Sequence, residues 1–408
     1  MPSRNKRRRA SIPAAAPLPP GGGAHNLTLM DFALSDEEKA FEAAARRFAE
    51  EDWAPLAAGW DERHEFPVAA LRRAAALGFG GITLDPQFGG SGLRRLDAAI
   101  IFEELASACV STAAYLSIHN MAASMIDRFG SKEQRARFLP KLASMEHFAS
   151  YCLTEPESGS DAASLKTRAR RQRGDYVLDG QKAFISGAGV SQVYVTMART
   201  GGAGAKGIST FIVEKGSAGL SFGKEERKLG WNTQPTAMVF FENCRVPAEN
   251  RLGAEGEGFR VAMSALDGGR LSIAACSLGA ARAALERARG HLLERRQFGR
   301  RLADFQALQF TFADLSTELE AARLLLRRAA FSLDRGEKEA TLLCAMAKRF
   351  ATDAGFRICN EALQLFGGSG YLKDLPLERY LRDVRVHQIL EGTNEIMRVI
   401  IARRLLSE

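Results

Sequence analysis

No Cys-x-x-Cys pair occurs in this chain, and its six cysteines (109, 152, 244, 276, 344, 359) stand singly. That spacing excludes a zinc ribbon or a disulfide scaffold. It fits a reducing compartment in which such thiols serve as small core hydrophobes. The six histidines are equally dispersed, so no metal site is expected. No strand–Gly-x-Gly-x-x-Gly–helix unit appears, which argues against a nicotinamide-binding Rossmann domain. Long apolar runs are missing too. Residues 105–126 carry no formal charge, but Ser107, Ser111, Thr112, Ser117, His119, Asn120 and Ser124 make them too polar for a span of about 20 apolar residues. They read as a buried helix, not a membrane segment.

Acidic residues are absent before Asp31, whereas Arg4, Lys6, Arg7, Arg8 and Arg9 supply five positive charges. Removing those five from the formal net charge of +8 leaves +3 for everything else. A body that close to neutral is not a phosphate-binding surface, so no nucleic-acid partner is expected. Residues 1–29, basic and then rich in Pro, Ala and Gly, read as a disordered tail or an organelle leader. The remainder, in a chain of 46% hydrophobic and 25% charged residues, can bury a large core divided among two or three domains.

The hydrophobic period is helical, then alternating, then helical again, which predicts an α+β protein. Its N-terminal helical domain spans 30–147, its middle antiparallel β-domain 148–251 and its C-terminal four-helix-bundle domain 252–408. Ser35 with Glu38 three residues on forms a capping box ahead of Phe41, Ala44, Ala45 and Phe48. Further helices are predicted near 67–78, 94–109, 111–129 and 131–144. Tyr176–Leu178, Val193–Met197, Ser209–Val213 and Met238–Phe241 read as strands, with residues 201–207 as a hairpin loop. Long helices are predicted near 257–290, 304–334 and 337–366, with shorter ones near 376–385 and 394–406.

Chemistry-bearing residues gather in four stretches. Tyr151-Cys-Leu-Thr-Glu-Pro-Glu-Ser-Gly-Ser160 leaves a strand for a loop of hydroxyls around Gly159, which would let a ligand approach the backbone; an ordinary Ser/Gly loop reads the same way. Phe184-Ile185-Ser186 ends another strand with a ring and a hydroxyl two residues apart, hence on one face. Arg295 closes a long helix, Phe305-Gln306 opens the next, and Gln364-Leu-Phe-Gly-Gly-Ser-Gly-Tyr371 ends a third with free backbone amides. Glu391 lies between Ile389-Leu390 and Gly392, with Thr393 as the N-cap of a terminal helix. A carboxylate among apolar neighbours is poorly solvated and becomes a better base near neutrality. The same spacing also suits a solvent-facing glutamate.

Taken together, the α–β–α order, Leu-Thr-Glu-Pro-x-x-Gly-Ser-Asp, Gln-x-x-Gly-Gly-x-Gly-Tyr with Asp374, Arg379 and Asp383 behind it, and Leu-Glu-Gly-Thr resemble the acyl-CoA dehydrogenase family. The resemblance covers residues from about 31 to the end. Stretches such as Lys-Ala-Phe-Ile-Ser-Gly-Ala-Gly and Leu-Gly-Trp-Asn-Thr-Gln-Pro-Thr are similar to members acting on short branched acyl thioesters; a sibling dehydrogenase or an oxidase is the alternative, and a nucleic-acid-binding flavoprotein of the same fold is the rival from another class.

The resemblance implies an FAD enzyme that dehydrogenates an acyl-CoA between its α and β carbons. Glu391 would remove the α-proton while the β-carbon passes hydride to flavin N5. Relatives that place the base just before an arginine of the first C-terminal helix have it where this chain has Gly269, so Glu391 has no competitor. Arg270 would lie near the base, with Asp267, Gly268 and Gly269 at the CoA and acyl site, Arg403 a further substrate contact, and Ser160 shared with CoA. Tyr151, Cys152, Leu153, Thr154, Gly159 and Ser160 would wrap FAD, with Phe184, Ile185 and Ser186 beside its ring. Arg295, Phe305, Gln306, Gln364, Gly367 and Gly368 would reach the FAD of a neighbouring subunit, and Thr393 and Glu395 complete the site. Two departures stand out: Glu157 replaces a common Gly and Phe184 a common Trp. A homotetramer that passes electrons to an electron-transfer flavoprotein is expected, in the cytoplasm of a bacterium or the mitochondrial matrix of a eukaryote.

Overall fold

Ser35 caps the first helix as its spacing predicts. Its hydroxyl accepts from the Glu38 amide at 3.2 Å while the Glu38 carboxylate accepts from the Ser35 amide at 2.8 Å. In the computed structural model, which describes residues 33–407, this helix α1 (Asp36–Phe48) runs through a π-turn (Ala49–Trp53) into α2 (Ala54–Arg63), a helix the sequence period did not single out. The tail expected at residues 1–29 lies outside the described residues. Then come α3 (Val68–Ala76), α4 (Arg95–Ala108), α5 (Val110–Phe129) and α6 (Lys132–Ala143). No helix among the described residues is long and apolar enough to cross a membrane.

Eight strands make the middle sheet: β1 (Ala149–Cys152), β2 (Arg168–Gln172), β3 (Asp175–Ser186), β4 (Val193–Arg199), β5 (Ile208–Glu214), β6 (Leu220–Glu225), β7 (Thr236–Val246) and β8 (Arg251–Leu252). Their order is β6-β7-β3-β2-β4-β5-β8, with β1 beside β4. Most pairings are antiparallel, but β4 takes β1 in parallel over four residues and β2 at the single pair Arg168↔Arg199. The 201–207 loop joins β4 to β5 as a hairpin.

After the sheet, α7 (Gly258–Glu294) is followed by the small hairpin of β9 (Arg296–Gln297) and β10 (Arg300–Arg301), then by α8 (Gln306–Asp334), α9 (Ala340–Leu365), α10 (Leu377–Arg385) and α11 (Asn394–Leu406). Small residues let α7 pass close to its neighbours: a Cβ on Gly279 would overlap the Glu103 carbonyl of α4, and one on Gly355 of α9 would lie 2.9 Å from Ser277. Phe102 and Leu105 of α4 accordingly share one core with Leu271, Leu278, Leu326 and Ala347 of the bundle. The helices before and after the sheet therefore pack as one layer. A second core seals α5 and α6 onto the sheet through Met125, Leu139, Val195 and Ile212.

Candidate active site

Glu391 sits on a sharp turn. A short 3-10 segment (Val386–Gln388) follows α10, and then Glu391 (φ 54°) and Gly392 (φ 91°) both take the left-handed conformation before Thr393 caps α11 through the Ile396 amide at 3.2 Å. A left-handed glutamate costs on the order of 1–3 kcal/mol and persists where the surroundings over-determine it. Both of its carboxylate oxygens are inaccessible to solvent and have no hydrogen-bond partner among the described residues. Burial raises its pKa to about 7 against the opposing pull of Arg270 and Lys348.

The surroundings of that carboxylate come from distant helices, not from Ile389, which is 51% exposed. A Cβ on Gly269 would overlap Glu391 Oε2 and lie 2.7 Å from Met121 Sδ. Beside Gly269 a narrow crevice opens between α4, α5 and α7, lined by Ile82, Phe102, Met121, Ser272 and Arg95. Gly268 makes room for that arginine, since a Cβ there would lie 2.7 Å from Arg95 Nη1. Arg270 is buried and makes no hydrogen bond to the carboxylate: Nη1 donates to Asp267 Oδ1 at 2.8 Å and Nε to the Glu391 carbonyl at 3.3 Å. The other Asp267 oxygen accepts from Thr341 at 2.7 Å, so both are engaged within the protein. On the far side of the turn, fully buried Lys348 of α9 donates to the Gly392 carbonyl at 2.8 Å and to Asn394 Oδ1 at 2.9 Å.

Residues 150–154 and 183–186 form a second wall. Ser150 Oγ donates to the Ser186 carbonyl at 2.6 Å and the Ala183 amide to the Thr154 carbonyl at 2.9 Å, so the segments run side by side. The two-residue alternation expected to put Phe184 and Ser186 on one face does not apply. Phe184 sits at a register shift of β3 in the left-handed conformation (φ 58°), and its ring is 68% exposed while Ser186 is buried. The hydroxyls of Thr154 and Ser186 make no hydrogen bond among the described residues. Beyond Ser186 lies its β7 partner Thr236. There Thr236 Oγ1, Gln234 Oε1, Asn232 Oδ1 and Trp231 Nε1 are all buried without partners among the described residues. Free hydroxyls beside an exposed ring, with orphaned polar atoms behind, fit a planar heterocycle that carries both donors and acceptors. Tyr151, Cys152 and Leu153 lead into this wall, whereas Gly159 and Ser160 are exposed at its outer end, with open space where a Gly159 side chain would be.

What holds the loop is Glu155, a residue of the motif to which no role was assigned. Lys182, fully buried, donates to Glu155 Oε1 at 2.8 Å and to the Leu153 carbonyl at 3.0 Å. Burial opposes the Glu155 charge, but Lys182 and the amide of Lys166 outweigh it and keep the carboxyl below its usual range. The Glu157 departure is neutralised by an exposed ion pair with Lys166.

Arg295, Phe305, Gln306, Gln364, Gly367 and Gly368 assemble at one end of the bundle. Leu302 N–H donates to the Arg295 carbonyl at 2.8 Å, and His291 stacks on Phe366 at 4.3 Å. All but Phe305 are exposed, and none shares a hydrogen bond or packed cluster with Thr154 or Ser186. Glu395 points outward toward Arg398, and Arg403 is exposed in the last turn of α11. Sequence spacing missed Lys348, Lys182 and Arg95. A charged residue inside an apolar helical face is the signal available for Lys348, though solvent-facing lysines give it too. Among the described residues, no group of His, Cys, Asp and Glu could hold a metal.

Family models match the chain in three consecutive blocks: "Acyl-CoA dehydrogenase, N-terminal domain" over residues 35–146, the middle domain over 150–244 and the C-terminal domain over 256–406. A Bos taurus protein named "Isobutyryl-CoA dehydrogenase, mitochondrial" is 57% identical over 92% of this chain and 90% of its own length. A Dictyostelium discoideum protein of the same name is 56% identical over 91% and 90%. Among solved structures, butyryl-CoA dehydrogenase from Megasphaera elsdenii superposes with a TM-score of 0.90 at 38% identity, covering 93% of this chain and all of that one.

Proposed function

The chain belongs to the acyl-CoA dehydrogenase family, and we propose that it converts isobutyryl-CoA to methacrylyl-CoA, an oxidative step of valine degradation. The observation that carries the reading is the buried, unpartnered carboxylate of Glu391 packed against Gly269.

Proton removal from the α-carbon of a thioester needs a base with a matched pKa and a donor for the developing enolate oxygen. Burial supplies the first, lifting Glu391 to about 7. For the second, the left-handed turn presents the Glu391 amide, which donates to no acceptor among the described residues. A preorganised donor in such a dry site is worth roughly 3 kcal/mol. FAD, the cofactor of the family, supplies the hydride acceptor for the β-carbon when bound. Thr154 and Ser186, beside the Phe184 ring, would hold its heterocycle. Arg270 fixes the turn by its bond to the Glu391 carbonyl, while Ile82, Phe102 and Met121 exclude water from the short acyl group. The exposed cluster of Arg295, Gln306 and Gln364–Gly368 is proposed to reach the FAD of a second copy, and a homotetramer is the proposed assembly. An electron-transfer flavoprotein is the proposed electron acceptor, with the cytoplasm of a bacterium or the mitochondrial matrix as the setting.

Anaerobic titration with acyl-CoA esters tests this reading. Isobutyryl-CoA is expected to bleach the flavin faster than butyryl-CoA, and 2-methylbutyryl-CoA is the closest competitor, because one methylene is worth only about 1–3 kcal/mol. The Glu391→Gln protein should bind FAD and ligand yet bleach about 10²–10⁴-fold more slowly. A Gln variant that bleaches at the parent rate overturns the assignment of the base.

A further inference from the structure

Lys348 carries a charge into a place where a charge is expensive. Its side chain is fully buried in α9, and among the described residues no carboxylate lies within ion-pairing distance of it. Its ammonium is spent instead on two neutral oxygens of the catalytic turn, the Gly392 carbonyl and Asn394 Oδ1. Asn394 is held in turn: its amide donates to Thr352 Oγ1 at 2.9 Å and Asp353 Oδ1 at 2.7 Å, and Thr352 donates to the Lys348 carbonyl at 2.8 Å. The lysine is thus tied at both ends into the segment following Glu391. A structural tie could be made by a neutral donor without desolvating a cation. The Glu391 carboxylate is likewise buried with no counter-ion contact among the described residues.

We propose that Lys348 is a positioning residue for the reaction: it fixes the left-handed turn that presents Glu391 and supplies a buried positive charge that, together with Arg270, favours the ionised form of that carboxylate. The inference rests on Glu391 being the base. Each charge favours the other: Glu391 pulls the lysine up against a burial that lowers it to about 8. Other groups face the pair. Arg270 from α7 acts on both charges, while Asp353 of α9 and Glu395 of α11 act on the lysine. Tyr151 and Cys276 are pushed far above their usual ranges by burial, and His387 is pushed down to about 3. None of those three titrates near neutrality, and Asp383, which burial lifts to about 7, makes no hydrogen bond or ion pair with Glu391 or Lys348, so the acid limb is expected to report Glu391 coupled to Lys348.

The test is the pH dependence of flavin bleaching in the FAD-loaded protein with saturating isobutyryl-CoA. Lys348→Gln keeps a donor for Gly392 but removes the charge, and Lys348→Met removes both. In each, the acid limb is expected to move upward by about half a pH unit or more, because loss of a nearby cation disfavours the carboxylate. Lys348→Arg should restore the limb. Asn394→Ala, which loosens the turn and spares the charge, should lower the plateau rate without moving the limb. An unmoved limb in the folded Gln or Met protein overturns the proposal. Failure of both to fold while Lys348→Arg folds also overturns it, since the lysine then serves folding. Neither result touches the assignment of the base, which stands or falls with Glu391→Gln.

Discussion

The carboxylate of Glu391 fills the volume where a side chain on Gly269 would begin. A Cβ at 269 would overlap Oε2 and lie 2.9 Å from Cδ, although 122 positions separate the two residues. Glu391 and the alternative base position implied by the family resemblance thus converge on one point. They also exclude each other, since the glycine is what leaves room for the glutamate.

Transfer of the base from one position to the other should therefore require removing the first side chain. Glu391→Gly with Gly269→Glu is expected to recover partial flavin bleaching. Glycine suits φ 54° at position 391, and the new carboxylate enters the vacated space. Glu391→Gln with Gly269→Glu should stay inactive because two side chains compete for one site. Single-turnover bleaching of both double variants decides it; an active Gln/Glu pair would contradict the overlap.

Stability should carry the cost of keeping the base. Glu391 has a folded pKa of about 7 against an ordinary 4.5, so the folded chain holds a proton that the unfolded chain releases. Its contribution falls as pH rises from about 4.5 to 7 and is flat above, a loss of about 3 kcal/mol by linkage. Glu391→Gln is expected to raise the melting temperature more at pH 8 than at pH 5. Asp383, which burial also lifts to about 7, is present in both proteins and cancels from the difference. Equal gains at the two pH values would contradict the raised pKa.

Lys182→Met should release the Thr154 loop. It leaves Glu155 buried without its cation, and breaking a buried pair in this way costs about 3–5 kcal/mol. The expected outcome is a lower melting temperature together with FAD loss on gel filtration. Lys182→Met with Glu155→Met, which removes both charges, should regain more stability than it regains FAD, because the loop has lost the bonds to Leu153 and Thr167.

Arg295→Ala should weaken FAD retention although the residue makes no contact with the Thr154–Ser186 wall. A guanidinium that reaches a phosphate of another copy's cofactor gives a charge-assisted hydrogen bond worth about 1.5–3 kcal/mol, so FAD affinity should drop about tenfold or more. Unchanged FAD affinity with unchanged assembly would count against a shared site.

Local order was legible in the chain. The capping box at Ser35, the hairpin glycines of 201–207 and the N-cap at Thr393 are short-range chemistry, and each stands where its spacing puts it. The motif resemblance pointed to Glu391, whereas spacing alone favoured a surface glutamate. Its burial is decided by Met121, Gly269, Arg270 and Lys348, contributed by three other helices. Phe184 is the reverse case. A period of two described the strand, and one left-handed residue at a bulge suspended that rule where the chemistry is. The side chains that sequence did not single out, Lys348, Lys182 and Arg95, are cations whose role depends on what they face. Periodicity gives the face of a helix but not its partner. For Lys348 and Arg95, only the packing of α4 and α9 against α7 turned those faces inward, and with them the surroundings in which the Glu391 carboxylate is buried and its pKa raised.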